Sequence, residues 1–293
     1  MLFENISILL ADGKINHNMF VGIKNEKIVY LSSIKPKEKY NKIYNGTGKL
    51  MIPGFVNTHC HVPMTILRGV GNDKPLDEWL NNYIFPLENK LNSKDIYYGS
   101  LMGIGEMLKS GITSFSDMYY HCEEIAQAVI ESGISANISH SVSVFDNKKD
   151  FKTLEMAEEI YKNFNGIDNN RLIVDMCLHS EYTTTPYAVE YIRNLSEKYN
   201  TSVLLHLCET QKEVNECIKR HNVTPVKYFE GMGIFERNII AAHCVYLTDE
   251  DIAILKKAQN LAEKIIQKDP KLENEQNKLL KAQIQNKITN FRF

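Results

Sequence analysis

The sequence holds a single tryptophan, no C-x-x-C pair, no apolar run of bilayer-spanning length and no block of basic residues. Each absence removes a class of function. With no hydrophobic stretch near the required span of about 20 residues, a membrane partner is not expected. A formal charge of -2 with scattered lysines and arginines leaves no electrostatic footprint for nucleic acid. The N-terminus, "MLFENISILLADGK", lacks a basic n-region and carries Glu4 and Asp12, so it does not read as a secretory signal. Cys60, Cys122, Cys177, Cys208, Cys217 and Cys244 are therefore expected as reduced thiols, and the cytoplasm as the compartment. What is present is ordinary core-forming material, 43% hydrophobic and 24% charged. A chain of 293 residues suits two average domains or one large α/β barrel with an appendage.

The first segment, about Met1 to Gly48, reads as a small antiparallel sheet broken by turn chemistry at Asp12-Gly13 and Asn25-Glu26. After Lys49 the rhythm becomes strand, loop, helix, repeated. "LMIPGFVNTH", "ITSFSDMYY", "SANISHSVSVF", "RLIVDMCLHS", "SVLLHLCE" and "NIIAAHCV" read as six strands. The helices between them carry their own punctuation: Ser93 as a candidate N-cap, Gly111, Gly133 and Gly166 past C-termini, Pro186 in a first turn. Strands alternating with helices imply parallel strands and right-handed crossovers, either in a barrel or in a doubly wound open sheet.

The histidines favour the barrel. His59 and His61 close the first strand, His179 the fourth, His206 the fifth and His243 the sixth. That is the C-terminal edge where α/β barrels assemble their sites. A strand period of two puts His59 and His61 on one face. One histidine at a strand end is usually a hydrogen-bonded core residue. Five of nine falling at the same end of four strands point instead to a metal, since convergent neutral nitrogens suit zinc or ferrous iron. Glu209, three residues after His206, stands where a carboxylate can move protons beside a metal, although the first turn of a helix also favours a glutamate there. Trp79 either anchors the long segment after the first strand or walls a pocket. Asp117 reads as a structural hydrogen-bond acceptor. Strand four ends without a lysine, which disfavours a lysine-bridged two-metal site, and the H-x-E with P-C-x-x-C deaminase signature is absent.

"GKLMIPGFVNTHCHVPMTILRG", "LDEWLNNYIFPLENKL", "HLCET" and "AAHCV" together resemble the amidohydrolase superfamily, most of all its 5-methylthioadenosine/S-adenosylhomocysteine deaminase and chlorohydrolase branch. The resemblance runs from about Met1 to Lys256. It implies a (β/α)8 metal-dependent hydrolase barrel with a small β-sandwich portion, and one divalent metal, zinc or alternatively iron. It implies His59, His61 and His206 as metal ligands and His243 as a ligand or a close partner of the site. Glu209 would be the proton shuttle, with His243 beside it in the chemistry. Trp79, Glu88 and His179 would contact the substrate, Glu88 by accepting bonds from ribose hydroxyls. The implied reaction is hydrolytic deamination of a purine nucleoside or related heterocycle. A guanine deaminase or chlorohydrolase-like aminohydrolase is the alternative within the branch.

Two departures stand against that implication. "SHSVSVFDNKKDFK" carries no arginine where the family holds an amino-acid carboxylate, which puts S-adenosylhomocysteine in doubt. The strand-seven motif and strand-eight aspartate of the family have no counterpart here. Strands one to six occupy Lys49 to Val245, about 33 residues per unit, in line with a whole barrel of about 250. The 48 residues after Val245 are too few for two more units. The expectation is therefore a partial barrel of six βα units at 49–256, preceded by a sandwich portion at 1–48 and followed by a polar helical tail at 257–293 that breaks at Asp269-Pro270. Exposed strand edges would leave room for a homo-oligomer, and a chain lacking the aspartate could bind metal without turnover or need a partner chain. Asp249 and Asp251 are remote candidates for the lost carboxylate.

Overall fold

The computed structural model describes residues 1–145 and 151–268, with side chains described as far as residue 259. The chain divides into two compact units, Met1–Phe55 and the residues from Val56 onward. In the first, β1 (Leu2–Leu9), β2 (Ile15–Lys24) and β3 (Lys27–Ser32) form an antiparallel meander. Asn25 and Glu26, both at positive φ, make the tight turn that the sequence signals. β4 (Ile43–Asn45) and β5 (Leu50–Met51) then pair with β1 in parallel, so the sheet is mixed rather than wholly antiparallel. The long connection from Ser32 to Ile43 returns the chain in the direction of β1, which a hairpin cannot do. Ile6, Ile8 and Val21 form the small core of this unit.

The expected first strand "LMIPGFVNTH" is two elements. β5 ends at Met51, and β6 (Phe55–Cys60) begins after Pro53-Gly54, where proline has no N–H for a ladder. After β6 come α1 (Leu76–Trp79), a π-helical turn (Leu80–Ile84), α2 (Phe85–Glu88) and α3 (Ser93–Lys109). The N-cap of α3 is Asn92 and not Ser93: Asn92 accepts from the amides of Lys94 and Asp95, and Asp95 reaches back to the amide of Asn92. β7 (Ile112–Tyr119), α4 (Cys122–Ser132), β8 (Ser135–His140), α5 (Phe151–Phe164), the short α6 (Ile167–Asn170) and β9 (Leu172–Val174) follow. Then come β10 (Met176–Cys177), α7 (Pro186–Tyr199), β11 (Val203–Leu207), α8 (Gln211–His221), α9 (Pro225–Gly231), β12 (Ile239–His243) and α10 (Asp249–Lys268). The last helix runs through position 256; the expected break at Asp269-Pro270 and the rest of the tail lie outside the described residues.

The strand order is β6-β7-β8-β9 in one sheet and β10-β11-β12 in the other. The pairs from β7 to β9 and from β10 to β12 whose register is resolved are all parallel. The expected fourth strand is split at Asp175. The amide of Asp175 donates to Ile138 of β8, whereas the next amide, Met176, donates to Ser202 beside β11. The chain thus crosses from one sheet to the other within two residues. The buried Asp175 carboxylate holds the crossing by accepting from Ser202 N and Asn137 Nδ2. On the outer side α3 lies against the turn Val62–Leu67 that follows the first histidine pair. Gly99 and Gly103 permit this: a Cβ at Gly99 would sit 2.4 Å from the Pro63 carbonyl, and one at Gly103 would sit 2.7 Å from the Val62 side chain.

Met118 of β7, Cys177 of β10, Leu204 of β11 and Ile240 of β12 pack together as one fully buried cluster. Four strands converging side chains on one interior is the arrangement of a barrel layer. Larger clusters fill the space between strands and helices, around Ile125, Ile138 and Leu172 on one side and Val189, Leu205 and Phe229 on the other. No helix among the described residues is long and apolar enough to cross a membrane, and none of the six cysteines forms a disulfide.

Between α5 and α7, Glu158 accepts from Lys198 Nζ (2.8 Å) and Tyr199 Oη (2.5 Å) and pairs with Lys162. The Lys198 ammonium foremost, then the Tyr199 hydroxyl, hold its carboxyl down at about 2. The unfolded chain would bind that proton near about 4.3. A depressed folded value means stability is complete above the unfolded pKa and is lost as pH falls toward the folded one. Thermal midpoints measured from pH 7 to pH 2.5 are expected to fall more steeply for the unaltered chain than for Glu158→Gln. Parallel curves for the two proteins would show that this cluster does not link α5 to α7.

Candidate active site

The histidines stand directly above the buried layer. His206 follows Leu204 by two residues along β11, and His179 follows Cys177 by two beyond β10, so the pleat aims both to the side of the layer. His243 obeys a different rule. It lies three residues after Ile240, which would face it away, but His243 and Cys244 take φ of 72° and 54° and turn the ring back. His206 is the hub. Its ring centroid lies 4.9 Å from His59, 5.3 Å from His61, 4.8 Å from His179 and 5.1 Å from His243.

Hydrogen bonds to carbonyls decide which nitrogen of two rings is free. His206 Nδ1 lies 2.9 Å from the His179 carbonyl, and His61 Nδ1 lies 2.6 Å from the Met118 carbonyl. A carbonyl only accepts, so both Nδ1 atoms carry the proton and both Nε2 atoms are lone pairs. Those two Nε2 atoms face each other at 3.4 Å. His59 Nε2 is buried with no hydrogen-bond partner. Burial depresses the basicity of His59, to about 3, and of His61 and His206, with the neighbouring histidines adding to the effect at His59 and His206. Neutral rings presenting unshared lone pairs to one point suit a cation, and the outer carbonyl bonds are those that orient metal-binding imidazoles. His59, His206 and His243 each place a ligand atom within 4.8 Å of the others. His61 lies outside that mutually close trio and joins it through His206, at 3.4 Å between Nε2 atoms, and through His59, at 4.9 Å between ring centroids.

Glu209, in the loop just before the N-cap Thr210 of α8, is held beside this group by the helix that follows it. Glu213, in the first turn of α8, accepts from the amides of Cys208 and Glu209 at 2.9 and 2.8 Å. The grip stabilises Cys208 at φ 51° and delivers Glu209 Oε1 to 3.5 Å from His243 Nε2. Burial, and secondarily the Glu213 carboxylate, push Glu209 up to about 7. A carboxyl poised there can both take and give a proton at neutral pH.

The group opens into a cavity of about 310 Å3 that is also lined by Trp79, Glu88, Tyr119, Tyr182 and His179. Trp79 does both things weighed for it: Nε1 donates to the Val70 carbonyl at 2.8 Å, and the side chain walls the cavity. Lys212 of α8 pairs with Asp77 of α1 at 2.7 Å. His179 Nδ1 is within 3.1 Å of the hydroxyls of Ser180 and Thr183. Beneath that turn the buried Glu181 carboxylate is met by Arg220 and His221.

The sequence pattern of the amidohydrolase family matches residues 50–283. The chain belongs to the amidohydrolase family. It is 41% identical to the 5'-deoxyadenosine deaminase of Methanocaldococcus jannaschii, an alignment covering 80% of this chain and 57% of that protein. It is 36% identical to the 5-methylthioadenosine/S-adenosylhomocysteine deaminase of Caldanaerobacter subterraneus subsp. tengcongensis, covering 88% of this chain and 60% of that protein. In fold it superposes with TM-score 0.80 on the zinc-bound adenosine deaminase from Xanthomonas campestris, at 24% identity over 88% of this chain and 60% of that one. The chain thus spans less than two thirds of the relatives it matches. The α/β amidohydrolase fold is shared with them.

Around one cavity the structure gathers the eight residues that the family resemblance implied for the site: His59, His61, Trp79, Glu88, His179, His206, Glu209 and His243. It does not gather Asp249 or Asp251. Asp249 is exposed, and Asp251 is buried at the start of α10, accepting from Thr224 and Thr248. Asp117 is an acceptor as read, taking bonds from Val62 N at 2.5 Å and from the Cys60 thiol. Tyr119 and Glu213 were not singled out. Tyr119 carried the signal of a strand end, and Glu213 that of a T-x-x-E helix start, but neither says which neighbour the side chain serves.

Proposed function

We propose that this chain carries the metal-binding and substrate-contacting portion of a hydrolase that removes an exocyclic amino group from a purine nucleoside of the adenosine or 5'-deoxyadenosine kind. The observation that supports it is the set of facing, unshared imidazole lone pairs with Glu209 beside them in a cavity bounded by Trp79 and Glu88. His59, His61, His206 and His243 would hold one divalent ion, and the zinc of the adenosine deaminase of like fold favours zinc over iron. When bound, the ion supplies Lewis acidity and the activation of water. The chain's own groups do the rest. Glu209 takes a proton from water, delivers it to the ring nitrogen beside the reacting carbon, and passes the next to the departing amine. Water adds oxygen to that carbon, the C–N bond breaks, and ammonia leaves. His243 Nε2 lies 3.5 Å from Glu209 Oε1, so the ring borders the proton carrier as well as the ion site. Trp79 presents a face to the heterocycle, Glu88 accepts from the hydroxyls of its sugar, and His179 bounds the reacting end.

The domain reading, a sandwich portion at 1–48, six βα units at 49–256 and a helical tail at 257–293, belongs to the same proposal, as does a reduced, cytoplasmic setting. A second reading is favoured by one observation. No carboxylate among the described residues joins the histidine trio. A chain that binds metal without turnover, or one completed by another subunit, would look the same. Zinc content and ammonia release on 5'-deoxyadenosine, 5'-methylthioadenosine, guanine and a chlorinated triazine separate the two. Stoichiometric zinc with release from a purine nucleoside is the expected result. Stoichiometric zinc with no release from any of them assigns the second reading.

A further inference from the structure

The cavity over the histidines is not alone. A second one of about 640 Å3 adjoins it, lined by His121, His140, Thr153 and Phe145 among others. Both are bounded by Phe85, Glu88, Tyr119, Tyr120 and His179, so these side chains form the partition. At its centre Tyr119 Oη donates to Glu88 Oε1 at 2.5 Å. The two come from different elements, Tyr119 from the end of β7 and Glu88 from α2 in the segment that follows β6. Tyr119 is the rigid member. It is 4% exposed, and its carbonyl accepts from Ser141 N at 3.0 Å. Glu88 is the adjustable member, on a four-residue helix. Burial raises its carboxyl while the Tyr119 hydroxyl lowers it, so the phenol is what favours the charged form. Tyr119 is itself raised by burial and stays a donor.

We propose that Tyr119 is a positioning residue: its phenol fixes Glu88 at the boundary between the two cavities, so that the site selects heterocycles whose linker presents hydroxyl groups to that carboxylate. The inference rests on the reading of Glu88 given above. One carboxylate oxygen is committed to Tyr119, and the side chain lines both cavities, where the other oxygen would meet a ligand that passes from one into the other. Without the phenol, Glu88 is free to rotate and less favoured as an anion, and both effects weaken a charged hydrogen bond to a hydroxyl. A contact that merely tied α2 to β7 would not distinguish one ligand from another.

Trp79, the single tryptophan, lines the first cavity, so its emission reports occupancy without turnover. The full zinc-loaded chain is titrated with purine riboside and with its 2',3'-dideoxy analogue, neither of which carries an amino group to release. The unaltered chain is expected to prefer the riboside about tenfold, the effect of one hydrogen bond to a charged group. Tyr119→Phe is expected to weaken the riboside about tenfold and the dideoxy analogue by less than about twofold, erasing the preference. Glu88→Gln is expected to erase it too, and decides the matter should Tyr119→Phe lose cooperative unfolding. Equal weakening of both ligands by Tyr119→Phe, or a preference that survives Glu88→Gln, overturns the proposal. An unaltered chain that binds both ligands equally overturns it while leaving the heterocycle reading intact. Failure of both ligands to quench Trp79 refutes the proposal and the heterocycle reading together.

Discussion

Glutamine in place of Glu209 lowers ammonia release about 10²- to 10⁴-fold, the range for loss of a positioned acid–base group, while zinc content and thermal midpoint remain those of the unaltered chain. Glutamine keeps the volume and one acceptor oxygen, so the packing survives. What it removes is the ability to carry a proton. The position of the side chain does not depend on its own charge, because the backbone amides of Cys208 and Glu209 are held by Glu213. The loss should therefore fall on kcat and leave KM nearly unchanged, the pattern of an interaction made in the transition state. Steady-state rates on a purine nucleoside and zinc analysis on the same preparation check this. A loss of less than about tenfold, or a loss of zinc that parallels the loss of rate, would sink the assignment of Glu209 as proton carrier.

His206→Ala should abolish metal binding more completely than any other single change. His206 touches four other histidine rings and is itself 5% exposed. Its Nδ1 bond to His179 commits Nε2 to the centre of the group. Loss of an outer partner of a ligand typically costs 10- to 100-fold in affinity, and loss of the ligand itself should cost more than about 100-fold. The readout is thermal as well as analytical. Zinc at 100 times its Kd stabilises the unaltered chain by about 2.7 kcal/mol, and this gain should vanish in His206→Ala. A metal-dependent rise of the midpoint that persists in the variant would falsify the placement of His206 as hub.

Much of this site was legible along the chain. Histidines at successive strand ends, and a glutamate three residues beyond one of them, needed only the pleat period and the rule that barrel sites gather at C-terminal strand edges. His59, His61, His179, His206 and Glu209 are placed by that logic, and so is the family, through contiguous motifs that survive as strings. Glu88 was reached through the family motif and Trp79 only as the single tryptophan of a long loop, because the segment between β6 and α3 has no regular repeat to read.

What the sequence by itself determined, then, is which residues meet. The tertiary structure decided how they meet. His243 points inward only because its backbone is left-handed, a state no local pattern announces. The lone pairs of His61 and His206 are assigned by carbonyls of Met118 and His179, which belong to other segments of the chain. The crossing at Asp175 follows from where its carboxylate finds its neighbours. Tyr119 acquires its partner from an element 31 residues earlier in the chain. The physical reason is common to all four. A pleat or helix period fixes the face of a side chain from its own neighbours in sequence, whereas a hydrogen bond's partner is set by whichever strand or turn the fold packs beside it.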